Sequence, residues 1–171
     1  GATGRTPDRI IYLWNTSNEI CTGATQGFVP QNEEGVSSLI LLSQALGAKS
    51  SAKSVRIGVV TTGVQTVGSE EKIDPPKSAI LGLCRVIPQE FPQMACCNID
   101  ISISRSKAAQ AKLANKILAE LSQNALEPVV ALRGRNRWAR TFAAVNLEAF
   151  SSTQDPPQRL RHGGVYLIIG G

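Results

Sequence analysis

Residues 55–62 read VRIGVVTT, and the fold turns on that run. It is mostly apolar on both faces, as a central strand of a parallel sheet is, whereas a half-exposed antiparallel strand alternates. Working outward on its N-terminal side, the Ser/Lys/Ala turn Lys49–Ser54 leads back to Gly35–Leu46. There Val36, Leu39, Ile40, Leu42, Ser43 and Leu46 recur at helical spacing, and Gly47 stands where a helix ends. A polar loop, Thr16–Asn32, separates this helix from Arg9–Trp14 (RIIYLW), a short buried strand.

On the C-terminal side, Gly63–Asp74 is a polar loop, and Asp74-Pro75-Pro76 reads as an N-cap followed by proline in the first turn. The helix that follows carries Ile80, Leu83, Cys84 and Ile87 on one stripe, with Phe91 a turn further on, and Pro88 is expected to bend or end it. Cys97, Ile99, Ile101 and Ile103 alternate with Asn98, Asp100, Ser102 and Ser104, the pattern of a half-exposed strand. Lys107–Asn124 is a third helix with Leu113, Ile117, Leu118 and Leu121 inward. Pro128–Leu132 and Trp138–Val145 read as strands, Ser151–Gln158 as a linker, and Val165–Ile169 (VYLII) as a last buried strand before Gly170 and Gly171. Strands separated by helices need crossover connections, so the order predicts an α/β fold: a parallel sheet flanked by helices in a Rossmann-like layer.

The composition sets outer bounds. The chain has 171 residues, 42% of them apolar and 18% charged, which suits one domain with a real core and excludes a wholly disordered chain. No apolar stretch approaches the ~20 residues of a membrane span. Residues 1–6 carry no apolar signal region and are expected to be a tag or linker remnant. Four cysteines without a Cys-x-x-Cys, and one histidine, argue against a zinc site and for reduced thiols in a cytoplasmic protein.

Candidate chemistry is sparse. His162 sits in an Arg-His-Gly-Gly turn and reads as a solvated residue; no nucleophile elbow or P-loop is present. Glu70 and Glu71 lie in a loop with no partner, and Asp100 is a single acid on a strand, so no paired-carboxylate site is expected. The first two helix-connected strands lack the Gly-x-Gly-x-x-Gly turn that lets a backbone approach a diphosphate, because Asn15-Thr16-Ser17-Asn18 follows one and Thr61-Thr62-Gly63-Val64 the other. The sheet therefore reads as a Rossmann-like layer without a functional dinucleotide-binding loop. Only Gly170 and Gly171 follow a strand as a glycine pair. Arg133, Arg135, Arg137 and Arg140 surround Trp138 and could grip phosphates and stack a base, the alternative being arginines solvated or paired at a domain surface.

Taken in order, PDRIIYLW (Pro7–Trp14), GVSSLILLSQALG (Gly35–Gly47), VRIGVVTTGVQTVG (Val55–Gly68), PPKSAILGLCRVIPQEFP (Pro75–Pro92), CNIDIS (Cys97–Ser102), EPVVALRGRNRWARTF (Glu127–Phe142) and LRHGGVYLIIGG (Leu160–Gly171) resemble the ketoreductase region of modular polyketide synthases. The resemblance implies that residues 7–150 are its truncated, cofactor-free structural subdomain, 151–162 a linker without an inserted enoylreductase, and 163–171 the first strand and glycine pair of a catalytic subdomain. Gly170 and Gly171 would then begin an incomplete cofactor motif, with Ile169 where the family has threonine. The Ser/Tyr/Lys catalytic set would lie beyond Gly171, so this chain is assigned no catalytic residue and no metal. The parent would reduce the β-keto group of acyl carrier protein-bound intermediates with NADPH, and the partners implied are the catalytic subdomain and neighbouring synthase domains, not nucleic acid or membrane. The alternatives are the scaffold half of a pseudo-ketoreductase beside a C-methyltransferase or dehydratase, and a nucleic-acid-binding module built on Arg133–Arg140.

Overall fold

The computed structural model describes residues 7–16, 33–48, 54–69, 71–104, 106–144 and 162–169. Five strands form one sheet in chain order: β1 (Arg9–Asn15), β2 (Val55–Thr61), β3 (Met94–Ile101), β4 (Val129–Arg133) and β5 (Asn136–Ala139). Strands β1 to β4 are parallel, and β5 turns back antiparallel to β4. Helices α1 (Glu33–Gly47), α2 (Ile80–Glu90) and α3 (Lys107–Leu121) occupy the three crossovers, and a 3-10 turn at Pro75–Ala79 precedes α2. This is the expected α/β architecture, a mostly parallel sheet flanked by helices.

Two apolar cores lie on opposite faces. On one face α1 and α2 bring Leu39, Ile80, Cys84 and Ile87 against Tyr12, Ile57, Val59, Met94 and Cys96. On the other, α3 brings Ile117 and Leu121 against Val60, Cys97, Ile99, Ile101, Val130 and Leu132. Gly58 makes the second packing possible, since a Cβ there would stand 2.9 Å from Leu121 Cδ2. Arg56 fixes the far end of α3 by donating to the carbonyls of Leu121 (3.4 Å), Gln123 and Asn124 (3.2 Å), a cation on the negative end of a helix.

Four expectations are corrected. Strand β3 is buried on both faces: Asn98 and Asp100 are as inaccessible as Ile99 between them, because α2 and the loop after β2 cover the side they point to. Pro88 does not end α2, which continues to Glu90 and is closed by Phe91 N–H donating to Ile87 O (2.9 Å). A proline in the last turn removes one bond and leaves the rest. The last sheet strand is Asn136–Ala139, earlier and shorter than Trp138–Val145, because Gly134 at φ +55° makes a tight hairpin. Finally, Val165–Ile169 is not a buried strand. The chain divides into compact units at 1–140 and 141–171, and in the second unit residues 164–169 have no regular structure, with Leu167, Ile168 and Ile169 at least 85% exposed. An apolar run becomes a strand only when a neighbour takes up its N–H and C=O groups.

Cys84, Cys96 and Cys97 are buried free thiols; Cys21 lies outside the described residues. The hydrogen bond to Cys84 and burial push the Cys96 thiol far up, and burial pushes Cys97 up to about 12. These thiols are therefore expected to resist alkylation in the native chain and to react on denaturation, as counted by a thiol-specific reagent. Unfolded, Cys96 and Cys97 ionise near pH ~8.5, while folded they keep their protons, so denaturation midpoints should fall as pH rises from there toward 12.

Candidate functional site

Open α/β sheets bind ligands at the carboxyl ends of their strands. Here that end is lined by Thr61, Asp100 and Arg133, the terminal polar residues of β2, β3 and β4, and by the loop that follows β2. Asp100 is fully buried, and its carboxylate accepts four hydrogen bonds: from Thr61 Oγ1 (2.8 Å), Val64 N (3.1 Å), Gln65 N (3.4 Å) and Arg133 Nη2 (2.7 Å). Two successive backbone amides, a hydroxyl and a guanidinium converging on one anion are the donor set that would otherwise cradle a phosphate. The anion at this point belongs to the chain itself.

Arg133 extends the network. Its Nε and Nη2 grip the two oxygens of Glu71 at 2.7 and 3.1 Å, and it also donates to the carbonyls of Asp100 (3.1 Å), Gln65 (3.0 Å) and Leu132 (3.3 Å). Burial disfavours its charge, but the bonds to Glu71 and Asp100 outweigh that and hold the guanidinium above its usual value. The bond from Arg133 holds the Glu71 carboxyl below its usual range against a smaller effect of burial, and Val67 N–H adds a second donor at 3.0 Å. Beneath them Asn98 Nδ2 donates to Val59 O (3.2 Å) and Thr61 Oγ1 (3.0 Å), which orients the threonine toward Asp100.

The same loop is held at its other end. Gly63, at φ +73°, turns the chain so that Asp74 N–H reaches Gly63 O at 2.7 Å. Asp74 caps no helix with its side chain, contrary to the expected N-cap. It forms a buried ion pair with Lys77 (3.2 Å), whose Nζ also lies 3.5 Å from Thr62 Oγ1. The loop between β2 and α2 is thus tied down by a buried charge pair, Asp74–Lys77, and a partly buried one, Glu71–Arg133, and lies over the carboxyl end of the sheet.

The arginine cluster does not form one surface. Arg133 points into the clamp, while Arg137 reaches the opposite face and pairs with Glu120 of α3 at 2.6 and 3.0 Å. Alternation along β4 and β5 therefore divides the row that could have gripped phosphates, and two of its arginines are held by carboxylates, in line with the paired reading of the segment. Trp138 is half exposed on the short edge strand. His162 is an exposed turn residue; Gly170 and Gly171 lie outside the described residues. Among the described residues no group of three or more His, Cys, Asp or Glu side chains could hold a metal ion, and no helix is long and apolar enough to cross a membrane. The clamp itself escaped the sequence reading, which left Glu71 without a partner and Asp100 alone. The available signal was the acid at the end of an otherwise buried strand.

No family model matches the chain. In sequence it is similar to the polyketide synthase PksN of Bacillus subtilis (strain 168), 22% identical over 167 residues that cover 96% of this chain and 3% of that protein. In fold it is similar to part of the adenylation, ketoreductase and pseudo Asub multidomain structure of a keto acid-selecting NRPS module, with a TM-score of 0.68 and 23% identity over 86% of this chain and 12% of that one. The chain thus corresponds to a small segment of much longer multidomain proteins, and the resemblance to polyketide synthases read from its residues is borne out.

The clamp can be tested directly. Removing one partner of a buried pair strands the other, so Arg133→Met and Asp100→Asn should each cost about 3–5 kcal/mol in urea denaturation. In Asp100→Ala the two amides and Arg133 are left without their anion, and added formate should restore part of the lost stability, saturably. Because the folded-state value of Glu71 is depressed, its contribution to the urea midpoint is present above the ordinary carboxyl range and lost as pH falls from that range to the lower folded-state value.

Proposed function

We propose that this chain is the non-catalytic structural half of a polyketide synthase ketoreductase region, a scaffold that packs against the half carrying the reaction. The observation that carries this reading is the Asp100–Arg133–Glu71 clamp, which fills the end of the sheet where an α/β enzyme binds its ligand.

The residues present do not fit a dinucleotide. Asp100 places a negative charge on the amides of Val64 and Gln65, where a pyrophosphate would need them free, and Glu71 adds a second carboxylate beside it. The turns after β1 and β2 lack the glycines that permit close backbone approach. In this reading NADPH-dependent reduction of an acyl carrier protein-bound β-keto group belongs to the partner half. This chain's residues supply rigidity: α1, α2 and α3 clamp the sheet on its two faces, and the ion pairs fix the loop at its end.

The test is an NADPH fluorescence titration of the chain, alone and mixed with the ketoreductase catalytic half of the same synthase. Alone, the chain should show no saturable binding. Adding it to the catalytic half should raise that half's cofactor-dependent reductase activity or its thermal midpoint. Saturable micromolar binding to the isolated chain would overturn the reading.

A further inference from the structure

We infer that the face of β1 opposite α1 is the docking groove for one helix of the partner half, a helix of about 15 residues with an apolar middle and an acidic residue toward each end. The inference rests on the scaffold reading above and assigns the surface through which it acts.

A parallel sheet is ordinarily covered on both faces. Helix α3 covers its face only from β2 to β4, and beside β2, at the sheet edge, β1 leaves Ile11 38%, Leu13 54% and Trp14 68% exposed. The register explains why three apolar side chains gather there. Tyr12 pairs with Val59 and Asn15 with Thr61, so Leu13 and Trp14 together stand opposite Val60. This bulge keeps Tyr12 and Asn15 on the buried face and turns an additional aromatic ring outward.

The other wall is a flank of α3. Ser122 accepts a hydrogen bond from Arg9 of β1 (3.3 Å), and Leu121 lies on Gly58 of β2, so the flank running Lys107, Ala111, Ala114, Leu118, Ser122 is the one beside β1. Leu118 is 52% exposed on it. The flank carries no acid along its ~22 Å length, and a cation stands at each end, Lys107 at one and Arg9 at the other. The charged partners of α3 lie on its far side, where Glu120 holds Arg137 and Lys116 donates to Gly134 O (2.8 Å). An uncharged trough between two cations matches an apolar helix with acidic ends, and its alanines leave room for close approach.

The experiment titrates the chain with the ketoreductase catalytic half of the same synthase by calorimetry, using Leu13→Glu and Leu118→Glu in the groove, with Leu41→Glu on α1 and Val86→Glu on α2 as controls. All four side chains are exposed. The groove variants should keep the thermal midpoint of the isolated chain and weaken association at least about tenfold, while the controls bind as the unsubstituted chain does. Weakening by the controls but not by the groove variants would place docking on the helical face and overturn this inference while the scaffold reading stands. A lowered midpoint of the isolated Leu13→Glu chain would mean that its own residues close the groove, which also overturns it. Failure of the unsubstituted pair to associate would bring down the scaffold reading itself.

Discussion

A carboxylate in the middle of a sheet must have a counter-charge, and most of the upper half of this molecule follows from how Asp100 obtains one. The acid is fully buried at the end of β3, flanked by strands on each side. Arg133, from the next strand, supplies the charge, but a guanidinium has five donors and needs more than one acceptor. Glu71 and the carbonyl of Gln65 answer that need, which draws the β2–α2 loop across the sheet. The loop's course then sets where Asp74 meets Lys77, and so where the 3-10 turn and α2 begin. One buried charge thus propagates into the path of some fifteen residues.

The elements of this fold were legible where periodicity is decisive. VRIGVVTT announced a central strand, and the helical stripes at Val36–Leu46 and Leu113–Leu121 named the sides that now face the cores, except that Leu118, expected inward, is 52% exposed, because it lies on the flank of α3 beyond the reach of the core. The alternating run Cys97–Ser104, of which β3 takes only the part up to Ile101, shows where periodicity fails. Polar residues at every second place describe equally a strand with one wet face and a strand whose second face holds a polar network. Only partners distant in sequence tell them apart: Thr61 lies 39 residues from Asp100, and Arg133 lies 62 from Glu71. Local reading could see each acid but not the arginine that joins them. For the same reason local reading left Arg133–Arg140 open between a basic surface and paired arginines, and only the fold shows that alternation sends Arg133 and Arg137 to opposite faces and to separate carboxylates. The apolar run Val165–Ile169 has strand composition but no regular structure, since composition alone does not supply a pairing partner.

The scaffold reading and the chemistry of the clamp support each other. A ligand site must trade a hydrated, open state for a bound one, whereas Asp100 keeps the donors of Val64, Gln65 and Arg133 engaged in every molecule. In the scaffold reading such an arrangement occupies the donors a nucleotide would need and ties the loop to the sheet. Rigidity of that kind suits a small segment of a long multidomain protein, where neighbouring parts need a fixed surface. It also explains why a sheet of dinucleotide-binding pattern survives without glycine turns: the backbone has no ligand to approach.

The β4–β5 hairpin has a consequence of its own. By folding the chain back through Gly134 it finishes one side of the sheet with a four-residue strand bearing Arg137 and half-exposed Trp138. Short, charged borders discourage further pairing. At the opposite border β1 is longer, parallel and apolar. The sheet is therefore a vector, with a terminated side and an extensible one, and any larger body built on it acquires an orientation before a single inter-domain contact is made.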